Sequence, residues 1–147
     1  DDGLFGGQKA TPDDVLEGEL DDCYLAAALT LIALLPNKAE SIFRPSDTPG
    51  MLRVGLWTHG SVEIIVIDDR IPCKASTRRP VFSRCRAPER SWVQAIEKAM
   101  AKRYGSYGAL KGGNTSEALL ELTGCPVLDT NLDSQEAADD VKSGKTW

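Results

Sequence analysis

Histidine is nearly absent from this 147-residue chain, with His59 as the single imidazole. The four cysteines, Cys23, Cys73, Cys85 and Cys125, form no Cys-x-x-Cys pair, and His59 has only Glu63 as a ligand-type neighbour, which argues against structural zinc. Long apolar runs are lacking as well. The longest, Tyr24 to Pro36, is broken by Thr30 and is shorter than the ~18 residues of a membrane helix, so it fits a core helix. No secretory leader is expected, because residues 1 to 22 carry eight acidic groups and one lysine. Sparse cysteines without a secretion signal read as reduced intracellular thiols. The start at Asp1, without methionine, reads as a piece of a longer chain.

Basic charge is scarce outside one loop. The net charge is −5, yet Lys74, Arg78, Arg79, Arg84, Arg86 and Arg90 cluster against Glu89 alone. With no interleaved aromatic but Phe82, this segment reads as a solvated loop, or one docking on an acidic neighbour, and not as a nucleic-acid site.

What is present centres on residues 17 to 33. A polar run containing Gly18 leads through Asp21 and Asp22 to Cys23, followed by nine almost wholly apolar, helix-favouring residues. A thiol at a helix start meets unpaired N–H groups and the positive end of the dipole, which favour the attacking thiolate. The segment alone equally permits a small buried hydrophobe at a helix start.

The remaining chain gives an α+β pattern. Residues 1 to 13 read as an irregular, glycine-rich lead-in, and a helix from about Asp22 to Leu35 stops at Pro36. Met51 to Trp57 and Ser61 to Asp68 predict an antiparallel hairpin with His59 at its tip, exposed there and not paired with Cys23. Pro80-Val81-Phe82 offers a short strand. Trp92, Ala95, Ile96, Ala99 and Met100 fall at helical spacing within Ser91 to Tyr104. Asn114 to Glu117 has capping-box spacing for a third helix ending at Gly124; an extended run over Cys125 to Leu132 and a polar helix over Ser134 to Lys142 follow.

Four stretches in order resemble the catalytic core of the calpains, papain-like cysteine proteases. Gly18-Glu19-Leu20-Asp21-Asp22-Cys23-Tyr24-Leu25-Ala26-Ala27 is similar to the family's Gln-Gly-x-Leu-Gly-Asp-Cys-Trp-Leu-x-Ala, and Val66-Ile67-Asp68-Asp69-Arg70-Ile71-Pro72 is nearly verbatim. Ser91-Trp92 through Glu97-Lys98-Ala99-Met100-Ala101-Lys102 resembles Phe-Trp-x-x-x-Leu-Glu-Lys-Ala-Tyr-Ala-Lys. Gly105-Ser106-Tyr107 with Gly112-Gly113-Asn114-Thr115-Ser116-Glu117 resembles Gly-x-Tyr…Gly-Gly-x-Thr-x-Glu.

The resemblance implies a papain-like half in which Cys23, heading a central helix, is the nucleophile, with residues 14 to 147 as the first catalytic subdomain. The histidine and asparagine would come from a second subdomain beyond this chain, so the segment alone is expected not to cleave peptides. Gly112 and Gly113 match the pair that lets a substrate backbone lie close. Implied partners are that second subdomain or other protein domains, with a peptide or protein substrate, in a cytoplasmic or otherwise intracellular protein that associates with the cytoskeleton.

Three positions depart from the family. Glu17 stands where a glutamine helps stabilise the oxyanion, and losing one such donor typically costs about 3 to 4 kcal/mol in the barrier. Asp21 replaces a glycine. At an effective dielectric of about 20 to 40 and ~7 Å, each carboxylate among Glu17, Glu19, Asp21 and Asp22 disfavours the thiolate by roughly 1 to 2 kcal/mol. The helix end returns only about 0.3 to 1 kcal/mol. The family's calcium site uses an aspartate matched by Asp14 and a glutamate whose place is taken by Arg90, with Glu89 adjacent as a substitute after a one-residue slip. Calcium is thus a cofactor implied by resemblance and opposed by Arg90. The two functions in view are part of a calpain-like endopeptidase and an inactive interaction or scaffold module of the same fold.

Overall fold

The computed structural model describes residues 2–128. The glycine-rich lead-in opens with one helical turn, α1 (Asp2–Phe5), whose Leu4 enters the core. After a 3-10 turn at Pro12–Asp14, the two-residue strand β1 (Val15–Leu16) pairs antiparallel with β5 (Arg84–Cys85). This ribbon pins the segment before Cys23 to the basic loop.

Helix α2 (Cys23–Ala33) begins at the expected cysteine and stops just short of the expected end, since Pro36 is followed by Asn37 in a left-handed conformation. Its inner face is Leu25, Ala28, Leu29 and Ile32. A second 3-10 turn, Glu40–Ile42, leads into β2 (Phe43–Arg44), which joins β3 (Met51–Thr58) and β4 (Ser61–Asp68) in an antiparallel sheet of order β2-β3-β4. The predicted hairpin is thus present with a third strand on its edge. Its link is two residues, one fewer than lie between the expected strands: Thr58 pairs with Ser61, and His59 and Gly60 both take positive φ, as a type I′ turn requires. The expected strand at Pro80-Val81-Phe82 is reduced to a single bridge between Cys73 and Pro80, and regular pairing starts only at Arg84.

Helix α3 (Trp92–Tyr104) is the most enclosed element, with Trp92, Val93, Ile96, Ala99 and Met100 essentially sealed from solvent. Its apolar stripe packs on β3 and β4, while α2 packs on α4 (Thr115–Thr123). A 3-10 turn at Tyr107–Leu110 connects α3 to the glycine loop. Asn114 caps α4 by accepting from the Ser116 N–H, and Gly124 closes it in a left-handed conformation. Residues 125–128 follow without regular structure; the rest of the predicted extended run and the predicted final helix lie outside the described residues. Among the described residues no helix is long and apolar enough to cross a membrane. The result is an α+β fold, with Cys23 at the first position of a packed helix in a papain-like arrangement.

Candidate active site

Cys23 is exposed, and Cys85 is the buried cysteine. The residue before it does the opposite: Asp22 is wholly buried, and its carbonyl accepts from the N–H groups of Leu25 (2.8 Å) and Ala26 (3.2 Å), starting the helix ladder. The chain turns outward between the two residues. The thiol therefore stands at the surface over a helix end whose N–H groups favour negative charge.

Two contacts fix the approach to that turn. Gly18 lies so close to the Phe82 carbonyl that a Cβ there would overlap it, and the Glu19 N–H donates to the Val81 carbonyl at 3.1 Å. Glu17 sits just ahead of these contacts, exposed at the start of the loop. On the other side, the Gly112 N–H donates to the Asp21 carbonyl at 3.1 Å. That bond ties the loop bearing Gly112 and Gly113 to a peptide two residues from Cys23. Gly113 in turn faces Tyr24, whose ring atoms would lie 2.5 Å from an added Cβ, so only glycine fits there. The bond from Gly112 thus brings the glycine loop, 91 positions on in sequence, to the peptide of Asp21, and Glu17 is placed relative to them only through the chain.

The carboxylates expected to oppose the thiolate are not four free charges. Glu19 pairs with Lys74 in an exposed ion pair. Asp22 faces Glu97, an α3 residue that is 1% exposed. Burial foremost, with the hydrogen bond and the charge of Asp22, pushes the Glu97 carboxyl up to about 8, while two contacts from the Ser83 N–H (3.1 and 3.2 Å) pull the other way. Burial likewise raises Asp22. Both shifts run the same way, against two negative charges in this dry site. Glu17 and Asp21 remain exposed.

His59 lies at the tip of the hairpin, exposed, on the link between β3 and β4. Asp14 is buried and bonded to Arg90, and Glu89 is exposed beside Gly6. Sequence reasoning matched Glu97 to a family-like stretch but missed its burial and its place beside Asp22. Its neighbours Lys98 and Lys102 mark an outer face, and the signal that points it inward, a buried backbone N–H at Ser83, is not written in its own helix.

The model of the calpain family cysteine protease matches residues 2–144. The chain is 38% identical over 145 residues to the calpain-type cysteine protease DEK1 of Arabidopsis thaliana, covering 98% of the chain and 7% of that protein. It is 36% identical over 143 residues to calpain-9 of Rattus norvegicus, covering 93% of the chain and 20% of that protein. Against a calpain of Schistosoma mansoni, 33% identity extends over 135 residues, 87% of the chain and 18% of that protein. The chain thus spans at most a fifth of the length of these relatives. With a thiol presented at the head of α2, a glycine loop tied beside it and a family match over nearly the whole sequence, this chain belongs to the calpain family of cysteine proteases.

Proposed function

We propose that the chain is the cysteine-bearing half of a calpain-like cysteine endopeptidase core, with residues 14 to 147 as its first catalytic subdomain and an imidazole and an asparagine supplied by a second. The observation that carries this reading is the exposed Cys23 at the first position of α2, with the Gly112 loop bonded to the Asp21 peptide beside it. The chemistry asks for that placement. The sulfur attacks a peptide carbonyl carbon to form a C–S bond, the partner imidazole delivers its proton to the leaving amine, and water then cleaves the thioester. Gly112 and Gly113 hold the substrate backbone, and residue 17 faces the oxyanion. The half is inert alone, because its one imidazole sits on the hairpin tip. The same reading places the protein inside the cell.

A second reading, an inactive scaffold module, is favoured by the exposed acids Glu17 and Asp21 flanking the approach to Cys23. A carboxylate at residue 17 repels the developing oxyanion instead of donating to it. Full-length protein treated with an epoxide directed at cysteine proteases, then digested and analysed by mass spectrometry, separates the two. Labelling at Cys23 with peptide hydrolysis, both lost in Cys23→Ser, supports the endopeptidase. Absence of both in wild type and in Glu17→Gln establishes the scaffold.

A further inference from the structure

Asp14 and Arg90 are 76 residues apart and both buried, at 4% and 6% exposure. Arg90 Nη1 lies 2.6 Å from each Asp14 carboxylate oxygen, and Nη2 donates to Gln8 Oε1, also at 2.6 Å. The Thr11 N–H (2.9 Å) and the Trp92 indole N–H (3.1 Å) both donate to Asp14 Oδ2. One cation therefore joins the lead-in, the 3-10 turn and the start of α3. The backbone closes around it: the Ser91 N–H donates to the Leu4 carbonyl at 3.0 Å, and the Arg86 N–H to the Asp14 carbonyl at 2.8 Å.

The family resemblance puts a calcium site at Asp14 and at the position of Arg90. These residues do not fit the ion. Calcium takes six to eight oxygens, whereas here a guanidinium, a cation with five N–H donors and no acceptor, stands against the buried carboxylate of Asp14. Among the described residues no group of three His, Cys, Asp or Glu side chains is placed to hold a metal. The exposed Glu89 adds no third ligand there. Asp14's carboxylate already accepts from three partners, so a metal would have to displace them.

We propose that Arg90 is a built-in replacement for a calcium ion, its guanidinium clamping Gln8, Asp14 and the head of α3 so that this half stays assembled whatever the calcium concentration. The inference rests on membership of the calpain family but not on the activity of Cys23. A binding and stability readout therefore fails or succeeds independently of the endopeptidase proposal.

Thermal unfolding of the full chain in EDTA, in 10 mM calcium and in 10 mM magnesium tests it. The wild-type Tm is expected to agree within ~1 °C across the three, since a ligand that does not bind the native state does not shift it. Arg90→Glu restores an acidic pair with Asp14, so its Tm should fall in EDTA and rise by about 5 °C or more with calcium but not magnesium. A saturable calcium-dependent rise in the wild type, or a folded Arg90→Glu without a calcium response, overturns the proposal. Should Arg90→Glu not fold, Arg90→Gln takes its place: a lowered Tm partly recovered by calcium supports the clamp, and no recovery overturns it. An ordinary ion pair without this history would lose stability in either variant and gain no response to calcium.

Discussion

Asp22 and Glu97 meet as two buried carboxyls directly behind the residue that carries the thiol. Neither Asp22 oxygen has a hydrogen-bond partner while both groups are ionised, and a proton shared with Glu97 supplies one. A second charge in that site would be unpaired and dry, which is why the proton is kept.

The folded-state value of Glu97, about 8, lies above its ordinary 4.5, so folding takes up a proton. Its contribution to stability is full below pH 4.5 and is lost as pH rises through 8. Glu97→Gln imitates the protonated form: its oxygen still accepts from Ser83 and its amide donates to Asp22. The variant should match wild type near pH 5 and exceed it by roughly 2 to 4 kcal/mol at pH 9. Urea denaturation at both pH values checks this, and equal wild-type and variant stability at pH 9 would remove the shared proton.

Gly113 and Tyr24 make the site's tightest glycine contact whose neighbour is a side chain beside the nucleophile. Gly113→Ala forces a methyl to 2.5 Å from the ring and should destabilise the chain by about 1 to 3 kcal/mol. Tyr24→Ala alone loses packing, but in combination it removes the obstacle, so the double variant should be clearly less destabilised than the two single effects summed. Denaturant midpoints for the four proteins measure the coupling, and strict additivity would show that the loop yields freely.

Much of this architecture was legible because local chemistry agrees with the fold. The Trp92 to Met100 stripe, the cap at Asn114 and the stop at Gly124 each stand within a few residues of what they control. His59-Gly60 was read as part of a longer link, since histidine gives no warning that it will take a left-handed conformation. The charges were the less legible part. Asp14, expected as a calcium ligand, finds Arg90 across 76 positions, and Asp22, counted as a free charge against the thiolate, finds Glu97 across another long separation. At the site, the thiol at the helix head was readable from the apolar run behind it and the glycine pair only through the family resemblance, while the bond from Gly112 to Asp21 exists only in three dimensions.

Acid should act on the chain through Asp14. Burial alone would raise its carboxyl, but hydrogen bonds from Thr11, Trp92 and Arg90, with the guanidinium charge, hold it below the ordinary 3.8. This stabilisation is present above that value and disappears as pH falls through the lower folded-state one. Asp14→Asn should therefore cost about 3 to 5 kcal/mol at pH 6, because it leaves a buried guanidinium without its counter-charge. The deficit should shrink as pH falls below 3.8 and through the lower folded-state value, where the protonated aspartate becomes equivalent to the amide. Circular dichroism melts of both proteins from pH 6 to 2.5 measure this, and an unchanging gap would assign the cost to shape and not to charge.

Cysteine modification offers a direct reading of which thiol the fold presents. Cys23, Cys73 and Cys125 are exposed, whereas Cys85 is 4% exposed in β5 and burial, reinforced by the charge of Asp14, pushes its thiol up to about 11. A disulfide reagent at pH 8 needs both access and thiolate, and Cys85 lacks both. Its reaction should be at least about 100-fold slower than that of the other three and governed by opening of the β1–β5 ribbon. Peptide mapping after timed quenching distinguishes the sites. Rapid labelling of Cys85, or protection of Cys23 in the native protein, would mean that the helix head is closed and the ribbon open, the reverse of the arrangement on which a nucleophilic Cys23 depends.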